Sequence, residues 1–181
     1  MTTDRRLYKP LRDSQRAKLY RAERDVVPRG QTFISVADMQ AYVDRLVQSA
    51  WFAGRWRYCH QGAHGHPFLV TDGRGRRRAC CTGRTIKMPL WARSELFLLH
   101  ELAHGINCWE HCDVRTHGWR FASILLDLVR HCMGKDTAAA LRESFRRHRV
   151  RYTKLRASRA AHPNSLAALA RINAARKAVA G

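Results

Sequence analysis

Residues 94–107 read SELFLLHELAHGIN. Ser94 is a favoured N-cap type, and Phe97, Leu98, Leu99, Leu102 and Ala103 crowd the stretch that follows, so the spacing predicts a buried helix over 95–106. His100 and His104 stand four apart and share one helical face, where two imidazoles can reach one ion. Imidazole nitrogens suit zinc at about 2.0–2.1 Å. Glu101 follows the first histidine and is placed to take a proton from water at such an ion and to pass it to a leaving group. The motif HExxH therefore predicts a metal-dependent hydrolytic centre, provided a third donor exists.

Glu110, His111, Asp113 and His117 are the candidates for that donor. A histidine six residues after His104 with a glycine between would extend the motif, but those places hold Glu110 and Asn107. The first glutamate after Glu110 is Glu143, far along the chain. His117 begins a new helical pattern, precedes Gly118 and lies thirteen residues after His104. It is the preferred ligand, reached if residues 107–116 form a loop that folds back; His111 and Glu110 are the alternatives.

Outward from this segment the pattern is that of an α+β chain. Asp13 can cap a helix over 13–25 that carries Leu19, Ala22 and Val26 on one face, and Pro28, Arg29 and Gly30 end it. Gln31–Ile34 is a short β-like run. Ser35, with Asp38 in capping-box position, opens a second helix whose stripe is Val36, Met39, Tyr42, Val43, Leu46 and Val47. Between Trp51 and Pro89 the period changes. Short strands are expected at Trp56, Tyr58, His66–Val70 and Arg84–Met88, in a small antiparallel sheet of three or four strands. The run Arg74, Arg76, Arg77, Arg78 reads as an exposed hairpin tip and as the candidate nucleic-acid contact. Two further helices are expected, over 117–133, ending at Gly134, and from Asp136 to about 148. Phe121, Leu125, Leu126, Leu128 and Val129 read as core by spacing. The division expected is a domain over 1–150 and a basic extension over 151–181, partly helical or disordered.

The chain has 181 residues with 34 Lys and Arg against 14 Asp and Glu, a formal net charge of +20. Of the basic residues 28 are arginine, and arginine favours bidentate phosphate contacts. Contact with a polyanion, nucleic acid above all, is expected through the basic surface and tail. Hydrophobic residues make up 45%, which excludes wholesale disorder. No apolar run is long enough to span a bilayer and no secretory leader is visible, so no membrane partner and a cytoplasmic location are expected. Six cysteines, Cys59, Cys80, Cys81, Cys108, Cys112 and Cys132, are expected as reduced thiols; a second metal site on Cys108, Cys112 and Cys80 or Cys81 is the less favoured reading. His60, His64 and His66 are expected as loop histidines. His131 and His148 are expected to contact solvent or a carboxylate.

The segments LHELAH and HGWRF resemble the HExxH…HGxxF arrangement of SprT-like zincins. The chain is similar to a family of HExxH metallohydrolases of actinobacteria and their phages. RDSQRAKLYRAE, ISVADMQAYVDRLV and the basic helix ending near Val150 extend the resemblance over about residues 12–150. It implies a minimal zincin-like fold with the sheet beside the active-site helix, Zn2+ on His100, His104 and His117, and Glu101 as the catalyst. The 107–116 stretch, rich in Cys, Trp and His, and the basic tail depart from the family pattern.

Three functions compete at this level. A zinc metallopeptidase acting on a peptide or protein substrate is preferred. A nucleic-acid-binding protein with a structural metal, and a zinc hydrolase of a non-peptide amide, are the alternatives. Trp109 and Trp119 could wall a substrate, and Arg93, Arg115 and Tyr152 are candidate oxyanion stabilisers.

Overall fold

The segment around HELAH is helical well beyond the expected end. In the computed structural model, which describes residue 13, residues 15–111 and residues 116–153, it spans Glu95–His111. Before it come α1 (Arg16–Arg24), α2 (Val36–Gln48), α3 (Ala50–Arg55), α4 (Arg57–Gly65), β1 (Leu69–Asp72), β2 (Cys80–Thr82) and β3 (Thr85–Met88). The HELAH helix is α5, and α6 (Trp119–Cys132) and α7 (Lys135–Arg147) follow. The chain is thus mixed α and β. Among the described residues there are seven helices and one small sheet, and no helix is long and apolar enough to cross a membrane.

Helix α5 is buried on every side near its start, and Leu96, Leu98, Leu99, Leu102, Ala103 and Ile106 are all fully buried. A helix apolar all round belongs in the middle of a fold. The sheet covers one side of α5, and α6 covers another with Ile124, Leu125 and Leu128. Gly105 makes the sheet-side contact possible. A Cβ there would stand 2.4 Å from Phe68 Cε1, so only glycine lets the helix approach this closely.

The sheet has the order β1-β3-β2, with β1 parallel and β2 antiparallel to β3. The expected antiparallel sheet is therefore corrected to a mixed one. β2 and β3 form a tight hairpin through Gly83, at φ 61°. The twelve residues between Asp72 and Thr85 are long enough to carry β3 back parallel to β1. Arg74, Arg76, Arg77 and Arg78 are exposed as expected, but they lie on the link from β1 to β2, which are not paired, and not on a hairpin tip.

Tyr58 is helical and Trp56 is the bend between α3 and α4; neither is in a strand. Ser49 Oγ accepts from Phe52 N–H (3.2 Å) and starts α3, and Phe52 on α3, Trp56 in the bend and Cys59 on α4 are all buried. The aromatic β-preference yields to that burial. Gln31–Ile34 pairs only through the isolated bridge of Thr32 with Ser94. The Ser35–Asp38 capping box forms as the sequence requires. Ser94 starts α5 through its carbonyl, bonded from Leu98 N–H at 3.0 Å, while its buried hydroxyl caps nothing. Residues 107–111 continue α5 instead of opening a loop. The tail beyond residue 153 lies outside the described residues.

Candidate metal centre

Helix α5 presents His100 and His104, one turn apart, and His117 arrives from the turn that leads into α6. One ring nitrogen from each lies within 4.8 Å of the other two. The Nε2 atoms of His100 and His104 are 3.2 Å apart. Phe121, fully buried on α6, is the floor on which all three rings rest, at centroid distances of 4.9, 4.3 and 5.1 Å. It is core, as its spacing implied, and the three imidazoles pack on it.

Two carboxylates fix the ring orientations. His100 Nδ1–H donates to Glu23 Oε1 (2.7 Å), a buried side chain on α1. His117 Nδ1–H donates to Asp13 Oδ2 (2.6 Å), which also accepts from Thr116 Oγ1 (2.7 Å). In each ring this places the proton on Nδ1 and leaves Nε2 bare. Gln15 adds a third tether, its amide donating to His117 O at 3.0 Å. Asp13, expected as a cap, does accept from Arg16 N–H (3.2 Å), but its second oxygen holds His117.

The electrostatics follow from burial. Desolvation, with the neighbouring imidazoles, pushes His104 well below the usual histidine range, and burial likewise lowers His117. Burial would lower His100 too, but the adjoining Glu23 carboxylate overrides it and raises the pKa. Burial pushes Glu101 up to about 7; Glu23 adds to this, while His100 and a backbone hydrogen bond from Cys81 oppose it. Glu101 Oε2 is buried without a hydrogen-bond partner. A buried carboxyl poised near neutrality is suited to accept and release a proton.

These residues fit a divalent metal. His100 Nε2 and His104 Nε2 stand 3.2 Å apart, close to the spacing of about 3.3 Å between two ligands of one tetrahedral zinc. His117 Nε2 is buried and has no hydrogen-bond partner, as a donor atom needing a metal would be. No family model, curated protein or solved structure matches the chain. The geometry alone therefore carries the functional reading.

The other expected site residues are elsewhere. Arg93 is buried in contact with Asp72 (3.3 Å) and Ile34 O (3.2 Å), so it is engaged away from the histidines. Tyr152 packs on Phe145 at 5.6 Å, and Arg115, Cys112 and Asp113 lie outside the described residues. Glu110 accepts from Cys59 N–H (2.7 Å) and is not in the histidine group; the side chain of His111 lies outside the described residues. Trp109 stacks under Arg84 (4.0 Å), and Trp119, only partly buried, carries Arg120 over its ring (4.9 Å). His60 bonds Val47 O at 2.9 Å, and His148 bonds Asp25 at 2.8 Å, the carboxylate contact expected of it. His131 is exposed to solvent, as expected, and also stacks on Trp51, centroids 3.6 Å apart. Among the described residues no cysteine joins a metal-holding group.

Sequence reasoning missed Glu23, Gln15 and Tyr20, all on or beside α1. The Tyr20 ring lies 5.5 Å from that of His100 and 5.2 Å from that of His117. Burial, together with the charges of Glu101 and Glu23, raises its pKa, so the phenol keeps its proton and can donate it. One signal was available for Glu23: it falls on the apolar face of Leu19, Ala22 and Val26, where an acid is out of place.

Proposed function

We propose that this chain is a zinc-dependent metallohydrolase that cleaves peptide bonds. The observation that carries the reading is the convergence of three histidine nitrogens, two of them oriented by carboxylates, beside the buried Glu101. His100, His104 and His117 would hold the ion. Bound there, zinc supplies Lewis acidity that polarises a carbonyl and acidifies water.

The protein's own residues do the rest. Glu101 takes the proton from the attacking water and returns it to the departing amine, a cycle that its raised pKa favours. Glu23 and Asp13 keep the imidazoles in one tautomer and offset their positive charge. Phe121 excludes water from beneath the rings. The resemblance of LHELAH and HGWRF to SprT-like zincins accords with this reading. A purely structural metal would call for a fourth protein donor, and the group among the described residues has three.

The test is Glu101→Gln. The variant should retain one zinc per chain and the parent's thermal stability while losing hydrolysis of a denatured protein or peptide library. Chelation should silence the parent, and added zinc should restore it. Cleavage by the variant at the parent's rate would refute the mechanism.

A further inference from the structure

Helix α7 ends in a Schellman turn. Val150 N–H donates to Phe145 O (2.8 Å) and Arg149 N–H to Arg146 O (3.2 Å). Such a turn needs a left-handed residue just past the cap, which glycine adopts freely and a side chain opposes. The residue here is Arg149, at φ 54°, the one non-glycine with positive φ among the described residues. The chain beyond it is pinned. Gln15 accepts from Arg151 N–H (2.8 Å) and donates to Arg151 O (3.0 Å), and Thr153 N–H donates to Ser123 Oγ (2.9 Å). Arg149 and Arg151 are therefore displayed from a fixed backbone.

With Arg142 and Arg146 they line a groove of about 510 Å³ whose apolar wall includes Phe145 and Tyr152. Glu143 is the only carboxylate lining it, and Arg146 occupies it through bonds of 2.9 and 2.6 Å. Arg142, Arg149 and Arg151 are exposed and make no side-chain hydrogen bond or ion pair among the described residues. Four guanidiniums against one carboxylate leave this groove with three unmatched positive charges. The arginine-rich link between β1 and β2 differs: there Arg74 pairs with Asp72 (3.6 Å) and Arg76 contacts Cys80 Sγ (3.9 Å).

We propose that the groove at the end of α7 binds the phosphate backbone of nucleic acid, with Arg142, Arg149 and Arg151 on separate phosphates. Guanidinium matches the planar pair of oxygens on a phosphodiester, and a repeating anion suits three separate cations on a rigid turn better than one carboxylate does. The proposal is independent of hydrolysis at the histidines.

Fluorescence anisotropy of the full chain with short single-stranded and duplex oligonucleotides, over a salt series, tests it. For the parent, log affinity should fall linearly with log salt on at least one strand form. In R142A/R149A/R151A the affinity near physiological salt should drop tenfold or more, and the slope should become shallower by about 2–3. R149G separates charge from folding. It gives the turn its preferred residue, so its melting temperature should match or exceed the parent's while the slope shallows by about 1. Parental affinity and slope in both variants would overturn the proposal. So would a loss confined to R74A/R76A/R77A, or competition by polyglutamate as strong as by nucleic acid of equal charge.

Discussion

Glu23 on α1 and His100 on α5 are joined by a 2.7 Å hydrogen bond between two buried side chains, across 77 positions of sequence. The bond sets the tautomer of the first ligand and supplies negative charge behind it. Carboxylates in this relation to a ligand histidine contribute about 10–100-fold to metal affinity. Glu23→Gln should therefore keep the fold and weaken zinc binding by about that factor, read by competition with a chromogenic chelator. An affinity equal to the parent's would mean that the carboxylate is only a packing element.

Tyr20 supplies a second test on the same helix. Its ring packs against His100 and His117, and its hydroxyl makes no hydrogen bond among the described residues. A donor aimed at charge that develops in a transition state is worth about 10²–10³ in kcat. Tyr20→Phe keeps the ring packing, so zinc content and thermal stability should be unchanged while kcat falls toward that range. Unaltered kcat with normal zinc content would remove the hydroxyl from the chemistry.

The Gly105–Phe68 contact sets two effects against each other. Alanine in a helix interior gains about 1 kcal/mol over glycine. The added Cβ would lie 2.4 Å from the Phe68 ring, which is buried and covered by Arg84 at 4.7 Å, so it cannot swing away. Overpacking of this kind costs about 1–3 kcal/mol. The second effect should win, and Gly105→Ala should lower the denaturant midpoint despite its better helix propensity. A raised midpoint would show that the sheet can retreat from α5.

Asp25 ties α1 to the end of α7 through Ser144 Oγ (2.8 Å), Arg147 (3.1 Å) and His148 (2.8 Å). The hydrogen bonds from His148 and Ser144 hold its carboxyl below the usual aspartate range. A carboxyl with a depressed folded pKa stabilises the fold above its unfolded value, about 3.9, and that contribution fades as pH falls through the folded value. Thermal melts of parent and Asp25→Asn should thus differ most near neutrality and converge on acidification below about pH 4. A gap that widened in acid would contradict this assignment.

That His100, His104 and His117 would come together was legible because helical periodicity and the break at residues 116–118 are local signals. The capping box at Ser35 and the stripe of α2 were legible for the same reason. Trp56 and Tyr58 misled because aromatic β-preference is a surface-packing effect, and here Phe52, Trp56 and Cys59 reach the core from two short helices and the bend between them. The parallel pairing of β1 with β3 was hidden because consecutive short strands favour hairpins, and nothing local marks a crossover. Asp13 and Tyr20 gave no sign of their roles: each meets its histidine only after α1 docks, about a hundred residues from His117 in sequence.

The amide of Gln15 grasps His117 O and Arg151 O together. That clamp cannot close until position 151 has left the ribosome, although His100 and His104 emerge much earlier. The clamp that fixes α1 beside His117 is thus completed only with residue 151, after all three imidazoles have been made.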